Sequence, residues 1–322
     1  METYLFKFSA CLAVFWLTYV LFLERQKMHR IKRFYLLGAF GISLIIPLLT
    51  FTHYIEPVVA THFETTQVFT PMAYSPIEVS QTPTVNPYWT LETILYFIYS
   101  LGVVLFAIRF IVNLVNMYRR ITRNETIDKG DFIYVLLQEY RIPHSFFMYL
   151  FFNKTNYESN AIPMEVELHE KTHAKQLHSL DIIIIEVLQI VFWFHPLIYL
   201  LKHHIKLNHE FLADEAVLKH GIDTKNYQTL LLQFSSKPDG HTLSSAINYS
   251  SIKKRFTVMK TQTSKTRILV SGLLLLPILA ILFYSFSTPE YVQKESAENL
   301  VTESPQNSIS EGATTTMMAN YK

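Results

Sequence analysis

The chain has 322 residues, of which 50% are hydrophobic, 14% aromatic and only 17% charged. This composition is too apolar for an ordinary soluble domain of that length, so we expect a membrane protein. The formal net charge of +2 excludes the strong electrostatic field that direct nucleic-acid binding needs. The single cysteine, Cys11, excludes an intrachain disulfide framework and a thiolate metal site. Any bound metal must therefore use histidine and carboxylate ligands.

Four apolar segments each approach the roughly 20 residues that a membrane-spanning helix requires. They are residues 4–23, 34–51, 91–115 and 268–286. Lys and Arg crowd the short loop after the first segment, whereas residues 34–108 contain neither residue type. Because cytoplasmic loops carry the excess of Lys and Arg, we expect this first loop in the cytoplasm. The N-terminus and residues 52–90 are then outside.

This pattern predicts a mainly α-helical membrane protein with four transmembrane helices and a cytoplasmic α+β domain inserted before the last span. We expect a three-helix region over residues 1–117, the domain over residues 118–266 and the last transmembrane helix over residues 267–286. Residues 287–322 are polar and rich in Ser, Thr, Glu and Asn, which predicts a disordered tail outside the membrane.

Within the predicted domain, two short runs of aromatic and aliphatic residues, Phe132–Leu137 and Phe146–Phe152, are typical of β-strands. The second run is either a core strand or an edge strand with which a substrate peptide pairs. After Pro163 the pattern becomes helical, with acidic residues in the first turns, as the helix dipole favours. This helix contains the segment HEKTH, residues 169–173.

HEKTH carries the groups that a zinc peptidase requires. His169 and His173 are four residues apart, so they project from one helix face and can bind one zinc ion. Glu170 is expected at the flank of that face, where it can take a proton from a metal-bound water, whose pKa the metal lowers to about 7. The pentapeptide alone has limited specificity in a chain with 13 histidines. A third ligand is needed.

Glu210 is the best candidate for the third ligand. Glu210 and Asp214 are four residues apart in the segment HEFLAD, so Glu210 can bind the metal while Asp214 supports a histidine ligand. His178 follows His173 by five residues and would need a helix break to reach the same face. His203, seven residues before Glu210, is a candidate donor to the scissile carbonyl, with an interfacial histidine as the simpler alternative.

The segment between the two motifs decides whether they meet. Residues 180–201 are apolar enough for another span, which would put Glu210 on the opposite side of the membrane from HEKTH. Pro196 instead favours a turn between two helices. Fourteen residues separate Asp181 from this turn and fourteen more lead from it to Glu210, about 21 Å each way. We therefore predict an apolar helical hairpin over residues 180–214 that packs on the spanning helices or enters the membrane.

Three further features of the sequence have structural interpretations. Asp181 is expected to cap the hairpin helix, with orientation of a metal ligand as the alternative. Glu186 is expected to pair within the hairpin. The cluster Lys253, Lys254 and Arg255 is predicted to form a solvated patch beside the membrane that meets anionic lipid.

The motifs HEKTH, FWFHPLIYL and NHEFLAD follow one another in this order, behind three apolar segments and ahead of a fourth. This arrangement resembles the BlaR/MecR-type membrane metallopeptidases, the antirepressors of bacterial antibiotic-sensing systems. By motif position, the resemblance implies one Zn²⁺ ion held by His169, His173 and Glu210. It also implies Glu170 as catalytic base and Asp214 as a supporting residue.

The resemblance further implies a gluzincin-type zinc metalloendopeptidase of the bacterial cytoplasmic membrane, acting in signal transduction that leads to inactivation of a transcriptional repressor. The expected partners are membrane lipid, a cytoplasmic repressor as substrate, and the chain itself, both as a substrate and as the second copy of a homodimer. Direct binding of nucleic acid is not expected. The β-lactam sensors of the family carry a penicillin-binding domain with a Ser-x-x-Lys nucleophile after the last span, and residues 287–322 lack that motif. We therefore do not expect sensing by acylation.

Two alternatives remain open at this point. One is a housekeeping membrane protease of the prenyl-protein-processing or quality-control (HtpX) type, which shares the HExxH and ExxxD pair. The other is a non-catalytic membrane signalling protein that keeps the fold. An intact HEKTH segment speaks against the second alternative.

Overall fold

The computed structural model describes residues 2–55, 90–235, 242–261 and 264–293. Its α-helices are α1 (Glu2–Thr18), α2 (His29–Ile45), α3 (Leu91–Arg123), α4 (Lys154–Glu158), α5 (Met164–Lys175), α6 (His178–Val191), α7 (Pro196–Lys219), α8 (Thr224–Ser235), α9 (Thr242–Lys260) and α10 (Lys265–Phe286). Its strands are β1 (Thr50–Ile55), β2 (Glu125–Asp128), β3 (Ile133–Leu137), β4 (His144–Phe146), β5 (Tyr149–Asn153) and β6 (Thr288–Gln293). A π-helical turn, Tyr19–Leu23, continues α1, and a 3-10 turn, Ile46–Leu48, ends α2.

Three helices within the described ranges are long and apolar enough to cross a membrane: Thr3–Leu23, His29–Leu48 and Leu91–Arg123. The first three predicted spans are therefore confirmed as apolar helices of spanning length. The fourth predicted span lies in α10, whose described apolar part, Leu275–Phe286, is shorter than the other three. The four-span arrangement and its orientation in the membrane remain predictions.

The chain divides into two compact units, residues 1–48 with 81–286 and residues 49–80 with 287–322. In the second unit, β1 pairs with β6 in parallel, with Thr50 opposite Thr288. The second apolar helix thus ends earlier than predicted, and the predicted disordered tail begins as a strand, because the backbone groups of the two segments satisfy each other. The rest of the predicted outer loop and tail, residues 56–89 and 294–322, lies outside the described residues.

A four-stranded sheet with the order β2-β3-β5-β4 lies beside the helix α5. β3 and β5 run in parallel, and β4 pairs antiparallel with β5 at one edge. The first predicted strand is confirmed as β3. The second is divided, because a tight turn with Phe147 at a φ of 50° separates β4 from β5. The backbone N–H of Phe147 donates to Oγ of Ser179 at 2.9 Å, which holds this turn against α6.

Alternate side chains of the sheet pack on two different helices, because successive residues of a strand point to opposite faces. On one face, Leu150 and Phe152 pack with Ala174 of α5. On the other face, Phe151 packs with Ile121 near the end of α3. The sheet therefore fixes the HEKTH helix relative to the end of the third apolar helix.

The predicted hairpin is formed by α6 and α7, with Pro196 in the first position of α7. It packs on the first apolar helix, where Phe192 stacks on Phe8 with 5.1 Å between ring centroids. At the turn, Nε2 of His195 lies 2.9 Å from Oγ of Ser9. Fourteen residues, about 21 Å of helix, separate Ser9 from the far end of the first apolar helix. Towards that far end, the ring of Tyr19 lies 5.1 Å from the ring of His204 on α7. The hairpin therefore packs along most of the first apolar helix, and its entry into the membrane stays a prediction.

The third apolar helix contacts the hairpin near its turn. Gly102, the buried residue of α3, lies against the indole of Trp193, and a Cβ atom at position 102 would overlap that ring. The hydroxyl of Tyr99 donates to the carbonyl of Val191 at 3.1 Å, and the carbonyl of Tyr99 accepts from Nε1 of Trp193 at 3.3 Å. Many large apolar side chains elsewhere on α3 are exposed, as expected of a helix that faces lipid.

Candidate metal centre

The HEKTH segment lies in α5, which begins after Pro163. His169 and His173 project from the same face of this helix, with 4.8 Å between their ring centroids. The Nε2 atoms of both rings face the carboxylate of Glu210, which α7 returns to the level of α5. The two predicted motifs therefore meet in the structure.

One ligand atom from each of these three residues lies within 4.8 Å of the others. Nε2 of His169 lies 3.1 Å from Nε2 of His173 and 3.3 Å from Oε2 of Glu210. Nε2 of His173 lies 3.6 Å from Oε1 of Glu210. Ligand atoms about 2.0 to 2.1 Å from a tetrahedral zinc ion are about 3.3 Å from one another. The observed spacings therefore fit a metal ion between the three side chains.

Tyr227 and Asp214 hold the ring of His169 from behind. Nδ1 of His169 lies 2.8 Å from the hydroxyl of Tyr227, which donates to Oδ1 of Asp214 at 2.9 Å. When Nε2 binds a metal, Nδ1 carries the ring proton and donates to the Tyr227 oxygen. Asp214 thus approaches His169 both through Tyr227 and directly, with its Oδ1 3.5 Å from Nδ1, and its supporting role stays a prediction. Tyr227 is absent from the predicted site, because its helix α8 carries no ligand pattern.

A helix break between α5 and α6 brings His178 to His173. α5 ends at Lys175, and Leu177 takes a left-handed conformation with a φ of 53° before α6 begins at His178. Nδ1 of His178 then lies 2.7 Å from Nδ1 of His173. His178 is therefore a hydrogen-bond partner of the predicted ligand and not a member of the three-atom cluster.

Arg255 of α9 binds both acidic residues of the HEFLAD motif. Its guanidinium lies 2.9 Å from Oε2 of Glu210 and donates to the two oxygens of Asp214 at 2.5 and 2.8 Å. The adjacent Lys254 pairs with Glu24, in the loop after the first apolar helix, at 2.5 Å. The predicted solvated patch is therefore wrong for Arg255, whose side chain is only 12% exposed because two carboxylates bind it.

Glu170 is buried beside the cluster, with 8% exposure. Burial raises the pKa of its carboxyl to about 7, against the opposing effects of His169 and of a hydrogen bond with Ser145 on the edge strand β4. A carboxyl group with a pKa near neutrality is suited to accept and return a proton. This environment suits the predicted role of Glu170 as a base.

The buried environment of the cluster sets the protonation of its three members differently. Burial opposes the charge of Glu210, but Arg255 holds the pKa of this carboxyl well below its usual value. Burial lowers the pKa of His173 to about 3, so its ring is neutral at neutral pH. An anionic carboxylate and a neutral imidazole are the forms that bind a metal ion. Burial opposes the charge of His169, but Glu210 raises the pKa of this ring, so a metal ion competes with a proton there.

Residues 154–259 match the family model described as BlaR1 peptidase M56. This part of the chain is thus similar to the M56 peptidases. This segment covers the whole candidate centre, from the HEKTH helix to Arg255, and the resemblance to BlaR/MecR-type peptidases is therefore confirmed. Together with the apolar helices, the match supports a membrane protein of the metallopeptidase type. No curated protein matches the chain significantly.

His203 lies outside the cluster of His169, His173 and Glu210. Its side chain is exposed, and its ring lies 5.5 Å from that of His204. Burial of part of the ring and the charge of Lys254 lower its pKa. Its role as a donor to the scissile carbonyl remains a prediction.

Asp181 does not cap α6, contrary to the prediction. The helix begins three residues earlier, and the carboxylate of Asp181 instead accepts hydrogen bonds from Arg33 and His209. These two donors satisfy the buried carboxylate, which burial without a partner would destabilise. Glu186 pairs with Lys202 inside the hairpin at 2.6 Å, as predicted.

Proposed function

We propose that this chain is a membrane zinc metalloendopeptidase of the gluzincin type, with His169, His173 and Glu210 as zinc ligands and Glu170 as catalytic base. One observation carries the proposal. One ligand atom from each of the three residues lies within 4.8 Å of the others, and the three residues fall within the segment that matches the M56 peptidase model. Two histidines and one carboxylate are a donor set that catalytic zinc sites use.

Each residue around the centre has a separate role in the proposed peptide hydrolysis. Bound zinc supplies Lewis acidity toward a water molecule and the substrate carbonyl. Glu170 takes the proton of the water and returns it to the leaving amine, and its buried carboxyl with a pKa of about 7 supports this role. Tyr227 and His178 orient the two ligand rings through their Nδ1 atoms. Arg255 keeps Glu210 anionic.

The free edge of β4 is the proposed binding surface for the substrate backbone. Among the strands that the structure describes, β4 is the last in the sheet order and has β5 on one side only. Ser145, in the middle of β4, hydrogen-bonds with Glu170. An extended peptide added to this edge would pass beside the catalytic carboxyl. This arrangement favours cleavage of an internal peptide bond.

We further propose that the peptidase acts in BlaR/MecR-like signal transduction and inactivates a cytoplasmic transcriptional repressor. The M56 match supports this role. The Lys- and Arg-rich loop before α2 supports a metal centre on the cytoplasmic side of the bacterial cytoplasmic membrane, with the N-terminus and C-terminal tail outside. The proposed substrates are the chain itself and the repressor. A quality-control protease would instead cleave unrelated misfolded proteins.

Zinc content and cleavage in the full chain test the catalytic proposal. We expect wild type to bind one zinc ion and to cleave itself or the repressor. Glu170→Gln should keep the zinc and lose at least about 100-fold in cleavage rate, because the proton acceptor is gone. Glu210→Ala should lose the zinc. Glu215→Gln, at a carboxylate of α7 that pairs with Lys219, is the matched control and should behave as wild type.

Three results would contradict parts of this proposal. Cleavage by Glu170→Gln at the wild-type rate would remove the catalytic assignment. Full zinc occupancy of Glu210→Ala would remove the ligand assignment. Zinc binding by wild type without hydrolysis of any peptide would favour a non-catalytic signalling protein, and cleavage of many unfolded proteins without selectivity would favour the housekeeping alternative.

A further inference from the structure

A continuous chain of contacts joins the second apolar helix to the proposed zinc ligand His173. Arg33, in the second turn of α2, donates to both oxygens of Asp181 on α6, at 2.6 and 3.0 Å. Asp181 also accepts from Nε2 of His209 on α7 at 2.7 Å. The ring of His209 stacks on His178, with 4.1 Å between centroids and 7° between planes, and His178 contacts His173.

Metal binding through Nε2 of His173 fixes the direction of the last hydrogen bond. The proton of His173 is then on Nδ1 and is donated to Nδ1 of His178 at 2.7 Å. His178 consequently carries its own proton on Nε2, which faces Oε1 of Gln176 at 3.3 Å. Only one neutral tautomer of His178 satisfies both partners.

The residues that form this series of contacts are shielded from water. His178, His209 and Asp181 are each 3% exposed, and the side chain of Arg33 is 17% exposed. Water therefore cannot readily replace a lost partner, and removal of Arg33 leaves a buried carboxylate with one donor fewer. A movement of Arg33 relative to the hairpin must be accommodated by Asp181 and by the two stacked rings.

The start of α2 contacts the second helix of the hairpin as well. Nδ2 of Asn208 donates to the carbonyl of His29 at 2.9 Å. Asn208 is next to His209 in sequence and two residues before the proposed ligand Glu210. The same end of one apolar helix is thus attached to both arms of the hairpin, and on α7 the attachment lies within one turn of Glu210.

We propose that Asp181, His209 and His178 are positioning residues for His173, and that Arg33 connects them to the second apolar helix, so that a shift of α2 against the hairpin changes the affinity of the site for zinc. This inference rests on the proposed zinc centre. None of these four residues binds the metal, and each acts through the orientation of one ring. Partners of ligand histidines of this kind change metal affinity about 10- to 100-fold.

The test is the Zn²⁺ dissociation constant of the full chain in detergent, measured by competition with a chromophoric chelator. His178→Phe keeps a ring that stacks on His209 but removes the acceptor for His173, so we expect the Kd to rise about 10- to 100-fold. His178→Asn should recover most of this loss, because its side-chain oxygen can accept near the position of Nδ1. Arg33→Gln should raise the Kd about tenfold.

Lys202→Gln is the matched control. It breaks an ion pair of 2.6 Å with Glu186 in the same hairpin, between side chains that are 14% and 27% exposed. We expect this variant to keep the wild-type Kd. In His178→Phe, displacement of the His173 ring should change the visible absorption spectrum of the Co²⁺-substituted protein. The spectrum should stay unchanged in Lys202→Gln.

A double-mutant cycle tests the connection itself. If Arg33 acts through His178, Arg33→Gln should not raise the Kd further in the His178→Phe background. Additive losses of zinc affinity would overturn the connection to α2. Unchanged Kd values in both single variants would overturn the positioning roles but, as long as wild type binds zinc, would leave the proposed function intact. A wild-type chain that binds no zinc would overturn the proposed function, and this inference with it.

Discussion

Nη1 of Arg255 lies 2.9 Å from Oε2 of Glu210, the same carboxylate oxygen that faces Nε2 of His169 at 3.3 Å. The guanidinium therefore stabilises the carboxylate from one side while the histidine rings face it from another. Arg255 also binds Asp214 through two nitrogen atoms, so one buried cation balances two carboxylates. The proposed ligand Glu210 thus has a charge partner even without a metal ion.

Arg255→Gln should destabilise the metal-free protein more than the zinc-bound protein. Without the guanidinium, Glu210 and Asp214 become two uncompensated buried charges, which we expect to cost about 3 kcal/mol in the free energy of unfolding. A bound zinc ion supplies positive charge to Glu210 and should recover part of that loss. Thermal unfolding of the full chain in detergent, with and without zinc, measures both values. Lys253→Gln, at the exposed neighbouring position two residues earlier, is the control, and equal losses with and without zinc would contradict this account.

Tyr227→Phe should weaken zinc binding with a small effect on cleavage per bound zinc. The hydroxyl of Tyr227 accepts from Nδ1 of His169 and donates to Asp214, so its removal leaves Nδ1 with the more distant Oδ1 of Asp214, at 3.5 Å. We expect the zinc Kd to rise about tenfold. Tyr199→Phe removes a hydroxyl that binds only the carbonyl of Trp193 in the described residues and should leave the Kd unchanged. A wild-type Kd in Tyr227→Phe would show that the hydroxyl does not orient His169.

The three residues of the cluster were predictable because their spacing and helix length constrain them. HEKTH fixes two imidazoles on one helix face, and the turn before Pro196 fixes how far α7 returns, so Glu210 could be found by arithmetic along the helices. The same reasoning predicted that the hairpin packs on the apolar helices. Periodicity gives the position of a residue along a helix, and these features depend on little else.

The residues around the ligands were not predictable in this way. Tyr227 and Arg255 reach the centre from α8 and α9, whose sequences carry no metal-binding pattern, and their positions depend on tertiary packing. His178 reaches His173 only because Leu177 adopts a left-handed conformation, which a branched aliphatic residue rarely does. Phe147 divides the second predicted strand through the same kind of conformation. A single residue in the left-handed conformation does not change the hydrophobic periodicity of the sequence, so periodicity cannot predict it.

Glu170→Gln should stabilise the metal-free protein increasingly as the pH rises. Burial raises the pKa of Glu170 to about 7, so the folded state favours the protonated carboxyl. The resulting stability is fully present below the ordinary pKa of a glutamate and is lost as the pH rises through about 7. Glutamine does not titrate, so its advantage over wild type should grow by about 2 kcal/mol between pH 5 and pH 8.

Thermal unfolding of both forms across this pH range, with a chelator present, measures the difference at position 170. Other titrating groups are common to both proteins, so their contributions largely cancel. Glu167→Gln, on the same helix, is the control. Partial burial opposes the charge of Glu167, but hydrogen bonds from Lys171 and Tyr134 lower the pKa of its carboxyl below the usual value. This variant should therefore show no gain in stability over wild type as the pH rises. A constant gap between Glu170→Gln and wild type from pH 5 to pH 8 would contradict a raised pKa.

Gly102→Ala should loosen the contact between the third apolar helix and the hairpin. A Cβ atom at this position overlaps the indole of Trp193, so the ring must move and its Nε1 hydrogen bond to the carbonyl of Tyr99 must lengthen or break. Overpacking of this kind costs about 1 to 3 kcal/mol. Gly41→Ala is the matched control, because nothing lies within 4 Å of a Cβ at that position of α2. It should be neutral or stabilise the helix by up to about 1 kcal/mol.

Thermal unfolding of the full chain in detergent compares the two glycine variants, and a second substitution identifies the cause of any loss. Trp193→Leu removes the indole that a Cβ at position 102 would meet. Adding Gly102→Ala to Trp193→Leu should therefore cost much less than adding it to wild type. If Gly102→Ala and Gly41→Ala unfold at the same temperature, or if Trp193→Leu leaves the cost of Gly102→Ala unchanged, the contact between α3 and the hairpin does not depend on this close approach.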